Sequence, residues 1–126
     1  MCKVAVVGSR DFKHPDWVRA ILNEYLPGMT FFISGGATGV DSIAEHWVDE
    51  YNEAIKSTSP EFTIKKVIFE ADWDKYGKRA GAIRNQIIVD EADIVLIFWN
   101  GISKGTKITM DLAIDSRKTT IIYVKD

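Results

Sequence analysis

The sequence predicts an α/β doubly wound fold: about five mainly parallel strands in one sheet, with helices on both faces. Three observations carry this. Short β-branched apolar runs alternate with longer segments of helical periodicity, the strand runs are continuously apolar, and two glycine-rich turns each lead from a strand into a helix. A continuous apolar run must be covered on both faces, which is the situation of a parallel strand between two helix layers.

The first strand is Lys3-Val4-Ala5-Val6-Val7, ending in Gly8-Ser9-Arg10-Asp11. His14-Pro15-Asp16 opens a helix, since a first turn has no use for the N–H that proline lacks. Trp17, Ile21, Leu22 and Tyr25 form its buried stripe, and Pro27-Gly28 stops it. Thr30-Phe31-Phe32-Ile33 is the second strand, followed by the turn Ser34-Gly35-Gly36-Ala37-Thr38-Gly39-Val40-Asp41. The helix from Val40 to Ile55 places Val40, Ile43, Ala44, Trp47, Val48 and Tyr51 on one face, and His46 on the solvated one.

After the polar connection Ser57-Thr58-Ser59-Pro60, Thr63 to Phe69 reads as a third strand. Ala71 to Gly81 lacks clean periodicity and is expected to be an aromatic, charged loop of the kind that often carries function. A well-buried helix begins near Gly81 and carries Ile83 to Val89; Asp93 to Trp99 is the most apolar strand. The second glycine turn, Asn100 to Thr106, leads into a helix through Met110 and Leu112 to Arg117, and Thr120 to Val124 closes the sheet.

With 126 residues, 46% hydrophobic and 27% charged, the chain is expected to form one domain over residues 1–126, burying about two thirds of its unfolded surface. Sixteen basic against 18 acidic residues give a formal charge of -2, which argues against a duplex-DNA binder or a polybasic membrane anchor. Cys2, the single cysteine, excludes an intrachain disulfide and a multi-cysteine zinc site. With strand-length apolar runs and no signal-peptide pattern, the expectation is a soluble, cytoplasmic protein with no membrane contact.

In a doubly wound sheet, ligands bind beyond the carboxyl ends of the strands. Those ends carry Gly8, Ser9 and Arg10; Gly35, Gly36, Thr38 and Gly39; Asp72 and Trp73; and Gly101 to Thr106. Glycine turns that open helices can offer backbone N–H groups to phosphate at the positive end of a helix dipole, with Thr38 and Thr106 adding hydroxyls. Arg10, Arg79 and Arg84 could fork onto phosphate oxygens, and Trp73, Tyr76 or Trp99 could stack on a base, with core packing favoured for Trp99. The turn at Gly35 lacks the lysine and hydroxyl residue of a P-loop and follows the second strand, where a dinucleotide fingerprint usually follows the first. Asp72 and Asp74 read as surface charge; no metal and no cofactor are expected.

Four stretches, in order over nearly the whole chain, resemble the small YpsA-related branch of the SLOG superfamily, found in bacteria and phages. They are Gly8-Ser9-Arg10-Asp11-Phe12, Gly35 to Asp41, Trp73 to Gly81 with Ile83-Arg84-Asn85-Gln86, and Trp99-Asn100-Gly101 with Gly105-Thr106. The resemblance implies a Rossmann-like domain that binds nucleotides or nucleotide-derived ligands. Against the Lonely Guy phosphoribohydrolases of the superfamily, Gly35 to Gly39 looks like the first glycine loop, Arg84 like the motif arginine, and Gly101 to Thr106 like the second glycine loop. Asn85 replaces a lysine. Lys107-Ile108-Thr109 stands where those enzymes carry a catalytic glutamate, with no carboxylate before Asp111.

Two readings follow. The first is a protein that senses or sequesters a phosphorylated nucleotide-derived small molecule held by Gly8, Ser9, Arg10, Gly35, Gly36, Thr38, Gly39, Trp73, Arg79, Asn85, Gly101, Gly105 and Thr106. The second is a hydrolase of an N-glycosidic or phosphate-ester bond in such a ligand, with Asp41, Arg84 or Asp111 in the chemistry. A third class, single-stranded DNA binding as in the DNA-processing branch of the superfamily, is opposed by the small size and slightly acidic balance, which make nucleic acid an unlikely partner. The last helix, with Ile108 and Leu112 on one stripe and Met110 and Ile114 on another, fits a homodimer or higher homo-oligomer.

Overall fold

The computed structural model describes residues 2–126. Five strands, β1 (Cys2–Gly8), β2 (Met29–Ser34), β3 (Lys65–Ile68), β4 (Ile94–Trp99) and β5 (Thr119–Val124), form one sheet in the order β3-β2-β1-β4-β5. Every neighbouring pair is parallel, so the expected sheet is present without an antiparallel strand. The principal helices are α1 (Pro15–Glu24), α2 (Val40–Ile55), α4 (Ala80–Glu91) and α5 (Lys104–Asp115); a single turn, α3 (Trp73–Tyr76), precedes α4.

Side-chain alternation sorts the core into two layers. Val4 and Val6 of β1, Phe32 of β2, and Leu96 and Phe98 of β4 pack against Val18 and Leu22 of α1 and Val40, Ala44 and Val48 of α2. Ala5, Ile33, Val95 and Ile97 face the other way, onto Ile88 and Val89 of α4 and Met110 and Ala113 of α5. Both faces of the central strands are thereby covered, which is why their sequences run apolar without a break. Among the described residues, no helix is long and apolar enough to cross a membrane.

Two expectations need correction. The third strand starts at Lys65, because the Asn52 side chain takes the place of a strand partner at Ile64: its Nδ2 donates to the Ile64 carbonyl and its Oδ1 accepts the Ile64 N–H, both at 2.8 Å. The segment 71–81 is ordered into α3, a 3₁₀ turn over Gly77–Arg79 and the start of α4. Asp72 caps α3 by accepting from the Lys75 N–H at 3.1 Å. One helical turn is too short to show a period in sequence, so only its cap could have marked it.

Candidate functional site

Strand order reverses between β1 and β4, and the loops that leave these strands diverge to opposite faces of the sheet. A cavity of about 770 Å³ opens at this point, beyond the carboxyl ends of the strands. Its walls are the amino ends of α4 and α5, and its floor includes Val7, Gly8 and Ile88.

Tight packing behind the cavity explains two of the glycines. A Cβ at Gly8 would meet Val40 Cγ2 at 2.5 Å and the Phe98 carbonyl at 2.6 Å, so glycine lets α2 approach the end of β1. Gly39, at φ +76°, adopts a backbone conformation that L side chains rarely enter, and a Cβ there would collide with the Arg10 carbonyl. The first glycine turn is also largely self-satisfied. Gly36 N–H donates to Ser34 Oγ at 3.3 Å, Ala37 N–H to Asp41 Oδ2 at 3.2 Å, and Val40 N–H to the Ser9 carbonyl at 3.4 Å.

The second glycine turn is built differently. Asn100 Oδ1 accepts from the N–H groups of Ile102 and Ser103, both at 2.9 Å, while its Nδ2 donates to Asp11 Oδ1 at 3.0 Å. Ser103 caps α5 by accepting from the Thr106 N–H at 3.3 Å, and buried Ser9 Oγ lies 3.4 Å from Thr106 Oγ1. The N–H groups of Lys104 and Gly105, in the first turn of α5, have no partner within the described residues. This helix end, with its positive dipole, faces the cavity at Gly105.

Arg10, Lys78 and Arg84 bring three cations to the lining, against the carboxylates of Asp11 and Asp41. Arg84 is fixed by two bonds, Nη1 to the Gly35 carbonyl at 2.8 Å and Nε to Asn85 Oδ1 at 2.7 Å, which leaves Nη2 for an incoming acceptor. Burial pushes the Asp41 carboxyl above its ordinary pKa, opposed by the Ala37 N–H and the nearby Arg84 guanidinium. Trp73 stands on the α4 side, 56% exposed, with its ring over Gly81, where a Cβ would lie 3.5 Å from Cη2.

Of the residues singled out from the sequence, Gly8, Arg10, Gly35, Asp41, Trp73, Arg84, Asn85, Gly105 and Thr106 line the cavity together. Ser9 lies fully buried behind it and ties the β1 loop to α5. Gly36, Thr38, Gly39, Arg79 and Gly101 lie outside the lining. Asp111 does too, with its carboxylate held by Lys107 Nζ at 2.7 Å. The sequence reading placed Lys78, Asn100, Ile102 and Ser103 inside its candidate loops but did not name them as binding residues. An Asn-Gly step with a serine two residues on is a turn-and-cap signature that could have pointed to Asn100 and Ser103.

Over 111 residues the chain is 33% identical to the Gene 61 protein of Mycobacterium phage D29, covering 85% of this chain and 84% of that protein. The chain belongs to the Gene 61 family. No protein-family model matches it. In fold, the Gene 61 family member is similar to DNA processing protein A of Streptococcus pneumoniae, with a TM-score of 0.69 and 22% identity over 97% of this chain. It is also similar to DNA processing protein A of Helicobacter pylori, a structure described for its single-stranded DNA binding mode, with a TM-score of 0.64 and 21% identity over 96% of this chain. The chain spans 50% of the first of these proteins and 64% of the second. The likeness bears out the Rossmann-like α/β fold with its parallel sheet.

These neighbours overturn two expectations: that the partner is a nucleotide-derived small molecule, bound or hydrolysed, and that nucleic acid is unlikely. The physical error lay in the charge argument. A net charge of -2 sums the whole surface, whereas a local groove is charged by its own lining, and in this cavity cations outnumber carboxylates.

Proposed function

We propose that this Gene 61 family member binds single-stranded DNA along the cavity between α4 and α5. Phosphates sit at the first turn of α5 and beside Arg10, Lys78 and Arg84, and one base stacks on Trp73. The observation that carries the reading is the make-up of the groove: an exposed indole beside three cations and two free helix N–H groups. Single strands require this pairing of stacking surface with backbone charge, whereas bases inside a duplex offer no free face to stack upon. The fold shared with two DNA processing proteins, one described for single-stranded DNA binding, supports it.

The test is fluorescence anisotropy with a labelled oligothymidylate of about 20 nucleotides, longer than the roughly 4–16 nucleotides a single-strand module covers. The single strand should bind at least about tenfold tighter than a duplex of equal length. Three groove cations should give a slope of log K against log salt of about −2, from about −0.7 per phosphate neutralised. Equal affinity for duplex, or no binding at low salt, would refute the reading.

Four finer assignments accompany it. The sequence motifs favour the YpsA-related branch of the superfamily, as one domain over residues 1–126 working in the cytoplasm. Ile114 of α5 and Ile122 and Val124 of edge strand β5, all exposed, suit a homodimer or higher homo-oligomer. A monomer mass by light scattering at micromolar concentration would remove that assembly.

A further inference from the structure

The geometry points to Ile102 as an apolar wedge that enters between two neighbouring bases of the bound strand, so that the groove selects strands whose bases can be parted. The inference rests on the single-stranded DNA reading and deepens it. Ile102 is 80% exposed, more than any other large apolar residue described, and it lines the same cavity as Trp73. A lone exposed isoleucine needs no explanation in itself. This one differs in how it is held and where it stands.

The loop tip is tied from several directions. Besides the two N–H bonds to Asn100 Oδ1, the Asn100 N–H donates to Ser9 Oγ at 3.2 Å, and Trp99 Nε1 donates to the Ser103 carbonyl at 3.0 Å. The side chain is β-branched and so restricted in χ1. A stiff apolar group on a fixed backbone is what insertion between bases demands, because a floppy one would lose its freedom on binding.

Position supplies the other half. Ile102 stands two residues before Lys104, at the free end of α5, and Trp73 stands on the approach to α4; both line the same cavity. A phosphate held by the Lys104 and Gly105 N–H groups brings its nucleotide beside Ile102. A base that swings out of the strand's own stack onto Trp73 leaves a gap beside its former neighbour, and Ile102 fills that gap.

The test uses the full chain and a single-stranded oligonucleotide with 2-aminopurine inside an adenine run, where stacking quenches its fluorescence. The wild-type protein should raise that fluorescence severalfold on binding. Ile102→Asn should bind about tenfold more weakly with an unchanged salt slope, and should lose the rise; thermal melting checks that this exposed position leaves the fold intact. Wild-type binding without a rise, or a rise kept by Ile102→Asn, overturns the wedge while leaving DNA binding in place. No binding of any single strand overturns both. An oligomer mass changed by Ile102→Asn, with binding and fluorescence untouched, makes Ile102 a contact between copies of the chain and likewise overturns the wedge.

Discussion

Replacing Gly105 with alanine separates folding from binding in one residue. Gly105 is the second residue of α5, lines the cavity, and a Cβ there would meet nothing within 4 Å. In a helix, alanine loses less backbone entropy than glycine by up to about 1 kcal/mol, so Gly105→Ala should melt at the wild-type temperature or slightly above it. The new methyl group occupies the space in which a phosphate oxygen would approach the helix N–H groups. Loss of one hydrogen bond to a charged group costs about 1.5–3 kcal/mol, or roughly 10- to 150-fold in affinity. Gly39→Ala is the contrasting control. Its backbone region and the Arg10 carbonyl leave no room for a Cβ, so about 1–3 kcal/mol of strain, with the collision in addition, should appear as a lower urea midpoint. Anisotropy and urea unfolding on both variants give the four numbers needed. A Gly105→Ala protein that is stable and binds single-stranded DNA as tightly as wild type would refute phosphate placement at α5.

Further outcomes follow from the same geometry. Arg84→Met should flatten the salt slope of DNA binding by about 0.7, one phosphate contact; a slope left unchanged, with a lower melting temperature, would mean that Arg84 only anchors the Gly35 carbonyl. Asp41 has a raised folded pKa, so its contribution is fully present below its unfolded value and is lost as pH rises through the folded one. Asp41→Asn should therefore unfold at a higher urea concentration than wild type at neutral pH and lose that advantage below the unfolded pKa; an advantage that grows on acidification would contradict the burial argument. Asn52→Leu leaves the N–H and carbonyl of Ile64 unpaired and should cost about 2–4 kcal/mol in urea unfolding. Arg117 has φ +58° after α5, and Arg117→Gly should raise stability by about 1 kcal/mol; no change would show that its side chain offsets the strain.

Much of the site was legible because its ingredients obey local rules. A strand, a glycine turn and a helix start suggest an open helix end, the logic that led to Gly105, while Arg10 and Arg84 were read as forks for phosphate oxygens and Trp73 as a stacking ring. The small-molecule reading came from the glycine turns and the resemblance, with whole-chain charge weighing against nucleic acid, and the likeness to DNA processing proteins counts against it. The relative worth of the two turns was missed. In sequence the Gly35 turn is the richer one, yet its N–H groups go to Ser34, Asp41 and Ser9, and the turn at Gly101 holds the free donors.

The sequence by itself determined the alternation of strands and helices, the continuous burial of β1 and β4, and the gathering of polar turns at one sheet edge. These depend on periodicity and turn chemistry, which act over a few residues. Only the tertiary structure decided that β1 and β4 are neighbours, so that Ser9 reaches Thr106 and Arg84 reaches the carbonyl of Gly35. It also decided that Gly39 is fixed by the Arg10 carbonyl while Gly105 stands open. Each of these depends on which groups distant in sequence meet, and a hydrogen-bond donor is free for a ligand only when no such meeting has already claimed it.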